Sequence, residues 1–301
     1  MNPVDYRKQL TDRIIEQLES GVAPRIKPWD ENVQILGRVH NAITGRPYTG
    51  GNSLWLQCHG YADPRWCTYK QAQAAGWQVK KGQKAAVVEY WKWEETAKEE
   101  AGQVIRDRLT IPKVFYVHIF NAQQIEGMPE VVPIQPNWVP EDQAERILIG
   151  SGASIYHDQE ARAFYSPTSD DIHLPPRSIF SDATKYYATA LHELGHWTGH
   201  ESRLGREISN RFGTEDYARE ELRAELASFF VASRLGIPND PINHAAYIGS
   251  WIKVLQQDHN EIFRAAGDAE KITEFVLQFQ HEKSNQIQSE SEATFEPEAA
   301  L

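Results

Sequence analysis

Residues 191–200 read Leu-His-Glu-Leu-Gly-His-Trp-Thr-Gly-His, so His192, Glu193 and His196 form an HExxH pattern. This pattern constrains the fold because it has chemical meaning only on a helix. Positions i and i+4 share a helical face, so both imidazoles reach one cation. Upstream, Tyr186-Tyr187-Ala188-Thr189-Ala190-Leu191 contains no proline and extends the helical reading. Glu193 points to the same place, where it takes a proton from water that the metal activates. The donors suit Zn2+, which lowers the pKa of a bound water to roughly 7 when three protein ligands leave a fourth position open. Another divalent metal such as Mn2+ is the alternative.

A third protein ligand is required. Metzincins supply a histidine six residues after the second, but that position holds Ser202 here. Gly199 is expected to end the helix and turn His200 away. Downstream, residues 217–230 read as a helix rich in Ala, Leu, Glu and Arg, with Leu222, Leu226, Phe229 and Phe230 as its apolar stripe. Glu221 and Glu225 share a face of that helix. The arrangement resembles that of gluzincins, where one carboxylate binds the metal and a second accepts the other N–H of a ligating histidine. Glu221 is therefore expected as the ligand and Glu225 behind it, with exchange of the two roles as the alternative. Tyr165, His173, Tyr187, Tyr217 and His244 all remain open as stabilisers of an oxyanion. Residues 161–165 and 171–176 flank a Ser-Pro-Thr-Ser-Asp turn and read as a hairpin bordering the cleft.

At 301 residues the chain is long enough for two domains. Cys58 and Cys67 make no disulfide framework, and a reducing cytoplasm is the simpler expectation. Neither a signal peptide nor a membrane segment is expected. The net charge of −11 is uneven: residues 1–130 carry +2 and residues 131–301 carry −13. Six of the nine tryptophans also fall in the first part. Such asymmetry suggests two jobs.

The expected fold class is α+β in two domains. The first, residues 1–128, mixes helices and strands. It opens with a helix over 3–20 and has a short helix after Thr68. Strands follow over 85–93 and 114–120, joined by a long polar loop. Pro129, Pro133, Pro136 and Pro140 mark a linker over 129–140. A mostly helical domain with a small antiparallel sheet follows over 141–282, with late helices near 240–265 and 268–280. The acidic tail, 283–301, is expected to be disordered.

In the first domain, Arg46, Lys70, Lys80, Lys81 and Lys84 supply positive charge around the turns, and Tyr48, Trp55, Trp66, Tyr69 and Trp77 supply flat faces. Interleaved aromatic and basic residues stack bases while neutralising phosphates, without reading sequence. Gly50-Gly51-Asn52 adds a bare backbone that a phosphate can approach.

Taken in order, several segments resemble the plasmid-borne ArdC-type antirestriction proteins. They are Asn41–Asn52, Asp63–Tyr69, Gly76–Gly82, His192–His200, Ser202–Leu204 and Glu220–Leu226. The resemblance covers about residues 3–280. It implies an N-terminal domain that binds single-stranded DNA and a zincin-like metallopeptidase domain. It also implies a role in conjugation, shielding incoming plasmid DNA from host restriction. The alternative is a metal-dependent protease whose main activity is cleavage of a peptide or a host restriction protein, with DNA binding only for targeting.

Overall fold

The computed structural model describes residues 3–19, 38–100, 103–130, 140–208, 213–237 and 248–280. The first helix, α1 (Pro3–Glu19), buries Tyr6, Leu10, Ile14 and Leu18, which recur at helical spacing. Next come β1 (His40–Asn41), α2 (Gly50–Gln57), β2 (Arg65–Thr68) and α3 (Tyr69–Ala74). The Thr68 hydroxyl accepts from the Gln71 backbone N–H, and the Gln71 side chain accepts from the Thr68 N–H, which closes a capping box at the start of α3. Gly76, at φ 79°, turns the chain out of that helix.

Strands β3 (Gln78–Val79), β4 (Ala86–Glu100), β5 (Gln103–Asn121) and β6 (Ile125–Glu126) complete the N-terminal half. The larger sheet has the order β1-β2-β5-β4, which leaves β4 at an edge. The polar stretch 94–108, expected as a loop, is strand on both sides: β4 and β5 stay paired to Glu100↔Gln103, with register shifts after Lys92 and Thr96. Backbone pairing between two adjacent strands needs no apolar alternation in sequence, so a polar stretch can still be strand.

The C-terminal half contains α4 (Pro140–Gly150), β7 (Ser154–Tyr156), β8 (Phe164–Ser166), β9 (Asp171–His173), α5 (Ala183–Trp197), α6 (Glu215–Leu235), α7 (Ile248–Gln257) and α8 (Glu261–Leu277). The expected hairpin is β8–β9, and β7 joins it in parallel with β9. The late helices divide at Asp258–Asn260 rather than near residue 266. The Asp258 carboxylate accepts from the Asn260 N–H at 2.9 Å, a local bond that competes with helix continuation. Gly267 sits inside α8.

Helix α6 packs on α5 and α8, α1 on α7, and α2 on α8. One apolar cluster runs from Tyr6, Leu10 and Leu54 through Leu194 and Phe230 to Ile262 and Val276, so the two halves share a core. Polar ties cross the same junction. Arg7 donates to both Glu89 and Asn260, and the Thr11 hydroxyl donates to the His259 carbonyl at 2.8 Å. Glu270 of α8 accepts from Arg38 and Arg234. Of the expected linker, residues 131–139 with Pro133 and Pro136 lie, like the tail 283–301, outside the described residues, and Pro140 opens α4. Among the described residues, no helix is long and apolar enough to cross a membrane.

Candidate metal centre

Helix α5 starts where Asp182 accepts from the Lys185 N–H at 2.9 Å, and its HExxH turn buries His192 and Glu193 and leaves His196 partly exposed. Helix α6 starts where the Thr214 hydroxyl accepts from the Tyr217 N–H, and Gly236, left-handed at φ 73°, ends it. The two helices lie face to face, joined by the Ser228 hydroxyl donating to the Ala188 carbonyl. This contact buries Glu220, Glu221 and Glu225 of α6, which are 6%, 4% and 8% exposed. Carboxylates so deep must be paired. They are not solvated surface acids.

The pairing is specific. His192 Nε2 and His196 Nε2 face each other at 3.2 Å. Each stands 3.5 Å from one oxygen of Glu221. Behind them, His192 Nδ1 lies 3.2 Å from Glu225, and His196 Nδ1 lies 3.3 Å from Glu220. A neutral imidazole whose Nδ1–H is held by a carboxylate turns the lone pair of its Nε2 forward. Two lone pairs and a carboxylate then converge on one point, which is a donor set for a cation. Zinc, at about 2.0–2.1 Å from tetrahedral ligands, sets them about 3.3–3.4 Å apart, close to these separations. The residues therefore fit a divalent ion. Among the described residues, His192, His196 and Glu221 are the group of donors that come together in this way.

Without a cation the electrostatics are those of a proton-rich cluster. Burial alone would lower the His196 pKa, but Glu220 and Glu221 outweigh it and push it up to about 9. His192 is likewise raised against the effect of burial, by Glu221 and Glu225. Burial would raise Glu221, yet the two histidines hold it well below the usual carboxylate range. Glu193 differs. Burial raises its pKa, only partly offset by His192 and His196 and by a bond from the Tyr165 backbone. It is a buried carboxylate beside the donor cluster and outside it.

The sequence did not reveal the support behind His196. Arg206 grips Glu220 with two donors, at 2.8 and 3.2 Å, and also donates to the Gly195 carbonyl and the Thr198 hydroxyl, both at 2.8 Å. One guanidinium thus locks the end of α5 to the carboxylate that orients its second histidine. The visible signal was Glu220 itself, adjacent to Glu221 on a helix. Gly199 lies where the chain returns: a Cβ there would stand 2.4 Å from Ile208 Cγ2. His200 bonds to Ser202 at 2.8 Å.

Three of the candidate oxyanion groups have other partners. Tyr165 donates to Asp170, His173 lies between Asp158 and Asp171, and Tyr187 donates to Glu145. Tyr217 sits one turn before Glu221 on α6. His244 lies outside the described residues.

Of the residues expected to contact DNA, Arg46, Tyr69, Lys70, Lys80, Lys81 and Lys84 are exposed. Trp55 and Trp66 are corrected by their burial, while Tyr48 and Asn52 are partly buried. Trp66 is 1% and Trp55 is 8% exposed, so neither face is open to a base. Tyr48 packs half-buried against the core. The Asn52 side chain is committed to the edge of β4, accepting from the Glu89 N–H at 3.0 Å and donating to the Glu89 carbonyl at 2.7 Å. The Trp55 and Trp66 indoles sit in the core, where burying so large an apolar ring contributes most.

Two family models match the chain: the N-terminal domain of anti-restriction factor ArdC over residues 4–120, and a zincin-like metallopeptidase over residues 142–268. Two Escherichia coli proteins named DNA primase TraC are 49% and 46% identical over 92% of this chain. The chain spans only 27% and 20% of their lengths. An uncharacterized protein, y4eC, of Sinorhizobium fredii is 34% identical over 91% of this chain and 92% of its own. Crystal structures of the antirestriction ArdC protein from plasmid R388, metal-free and Mn(II)-bound, superpose with a TM-score of 0.73. They are 35% and 34% identical, and the matches cover 91% and 92% of this chain and 97% and 98% of theirs. A two-domain α+β chain that matches this fold over nearly its whole length, with a zincin-like half carrying HExxH, belongs to the ArdC antirestriction family.

Proposed function

We propose that this chain is an antirestriction protein that binds single-stranded DNA through its N-terminal half, holds one divalent cation in its C-terminal half, and protects incoming plasmid DNA from host restriction. The observation that carries the reading is the near full-length likeness to the antirestriction ArdC protein, joined to an intact donor set at His192, His196 and Glu221. The exposed basic turn Lys80-Lys81-Gly82-Gln83-Lys84 supports the DNA half. The test is survival of incoming plasmid DNA in restricting cells that make the full chain, its Glu221→Ala variant, or neither. Protection by the full chain is expected, and protection equal to that of the empty control rejects the reading.

Glu193 favours a second activity, metal-dependent cleavage of a peptide or host protein. A cation at the donor set supplies Lewis acidity, polarising a carbonyl and making water a better nucleophile at neutral pH. The chain supplies the rest. Glu220 and Glu225 fix the two imidazoles by their Nδ1 atoms. Glu193, its pKa raised by burial, takes a proton from water and returns it to the leaving amine. Glu193→Ala should keep stoichiometric metal and abolish proteolysis. If protection from restriction survives that change, DNA binding carries the biological role.

A further inference from the structure

The chain that follows α5 doubles back on the end of that helix: the Leu204 N–H donates to the Thr198 carbonyl at 3.0 Å and the Arg206 N–H to the Gly199 carbonyl at 2.8 Å. It carries two guanidinium groups. Arg206 ties α5 to Glu220, behind His196. Arg203 turns instead to the small sheet. Its Nε donates to the carbonyl of Trp197, the last residue of α5, at 2.6 Å, and its Cζ lies 3.8 Å from the centre of the Trp197 ring. Nη1 donates to one oxygen of Asp170 at 3.0 Å, and Nη2 donates to the other. Nη2 also stands 3.4 Å from the Tyr165 hydroxyl, which itself donates to Asp170 at 2.8 Å. Arg203 belongs to Ser202–Leu204, one of the segments that carry the family resemblance, and the metal donors alone give it no task.

Asp170 sits in the turn between β8 and β9 at φ 56°, a left-handed conformation that a residue other than glycine keeps only where its surroundings impose it. The fork of Arg203 is what imposes it here. A planar guanidinium grips a carboxylate with two donors and still has Nε for the helix end, which a lysine cannot do. The turn held in this way belongs to β8, the edge strand of its sheet, which packs on α5. Tyr165 of β8 is buried opposite Ile172, and its backbone N–H is directed at the buried Glu193 carboxylate. One chain of contacts therefore runs from the end of α5 through Arg203, Asp170 and Tyr165 to Glu193. We propose that Arg203 and Asp170 are positioning residues for Glu193: they pin β8 to the end of α5, so that the Tyr165 N–H holds the Glu193 carboxylate towards the metal donors. The proposal rests on the metal-dependent cleavage given above and assigns a support to Glu193, as Arg206 supports His196.

The test compares the zinc-loaded full chain with Arg203→Lys, which keeps the charge and loses the fork, and Asp170→Asn, which tolerates the left-handed turn and loses the charge. Fluorescein-labelled casein is the substrate. Each variant should retain about one zinc per chain, which reports an intact donor set. Each should lower kcat roughly tenfold or more while KM stays within about twofold, because a displaced carboxylate slows proton transfer and leaves substrate binding alone. A role in stability alone leaves kcat of the zinc-loaded chain unchanged. Amide hydrogen exchange gives a second readout that needs no turnover: the Tyr165 amide should exchange several-fold faster in both variants, and in Glu193→Ala, than in the parent chain. If the parent chain cleaves casein and both variants match it in kcat, or if Tyr165 is equally protected in all of them, the proposal is wrong and the cleavage reading stands. Should one variant lose zinc, the other decides. Loss of zinc from both makes the clamp a support of the fold and overturns the proposal. If the parent chain cleaves no casein, the cleavage reading fails and the proposal falls with it.

Discussion

Glu220, Glu221 and Glu225 occupy one buried face of α6 and do three different things. Glu221 meets both Nε2 atoms, while the other two each hold one Nδ1. Removing a carboxylate that orients a metal-bound histidine typically costs 10–100-fold in affinity. Glu220→Ala and Glu225→Ala should therefore weaken zinc binding by about that factor, measured by competition with a chelating dye, whereas Glu221→Ala should abolish stoichiometric binding. Protons enter the same equilibrium. With His196 raised to about 9 and His192 also raised, the metal-free cluster is protonated at neutral pH, and a cation must expel those protons. Affinity should climb as pH rises towards about 9, and calorimetry in buffers of different ionisation enthalpy should register proton release. A pH-independent affinity between 6 and 9 would contradict the raised pKa values of the two histidines.

The elements were legible where a local rule dominates. Thr68 marked the start of α3, the apolar stripe of Tyr6, Leu10, Ile14 and Leu18 marked α1, and HExxH marked the helical context of the metal donors. They were illegible where tertiary contact decides. The polar ribbon at 94–108 carries no periodic signal, and the rings of Trp55 and Trp66 look alike in sequence whether they face a base or the core. Arg206 was invisible for the same reason, since nothing local ties it to Glu220. Gly199 is the test at this scale. A Cβ there would meet Ile208 and crowd Arg206 Nη2 at 3.1 Å, so Gly199→Ala should cost about 1–3 kcal/mol in overpacking. It should also lower metal affinity by displacing Arg206 from Glu220. A variant with parental stability in urea unfolding would refute this packing.

Across the whole molecule, the two matched families meet on a common core rather than across an open gap. Helix α1 lies on α7, α2 lies on α8, and Glu270 joins Arg38 of the N-terminal half to Arg234 of α6. Glu270→Ala leaves two guanidinium groups without their carboxylate, a loss of about 3–5 kcal/mol when such a pair is buried and somewhat less at this partly exposed junction. The full chain should unfold in one calorimetric transition, and this variant should unfold at a lower temperature. Two resolved transitions in the parent chain would separate the halves energetically. The central claim, that His192, His196 and Glu221 hold one divalent ion, is tested most directly by metal content. Elemental analysis of the full chain after zinc loading and gel filtration should give about one zinc per chain, falling to background in Glu221→Ala but not in Glu193→Ala. No retained zinc in the parent chain, or full retention in Glu221→Ala, would contradict it.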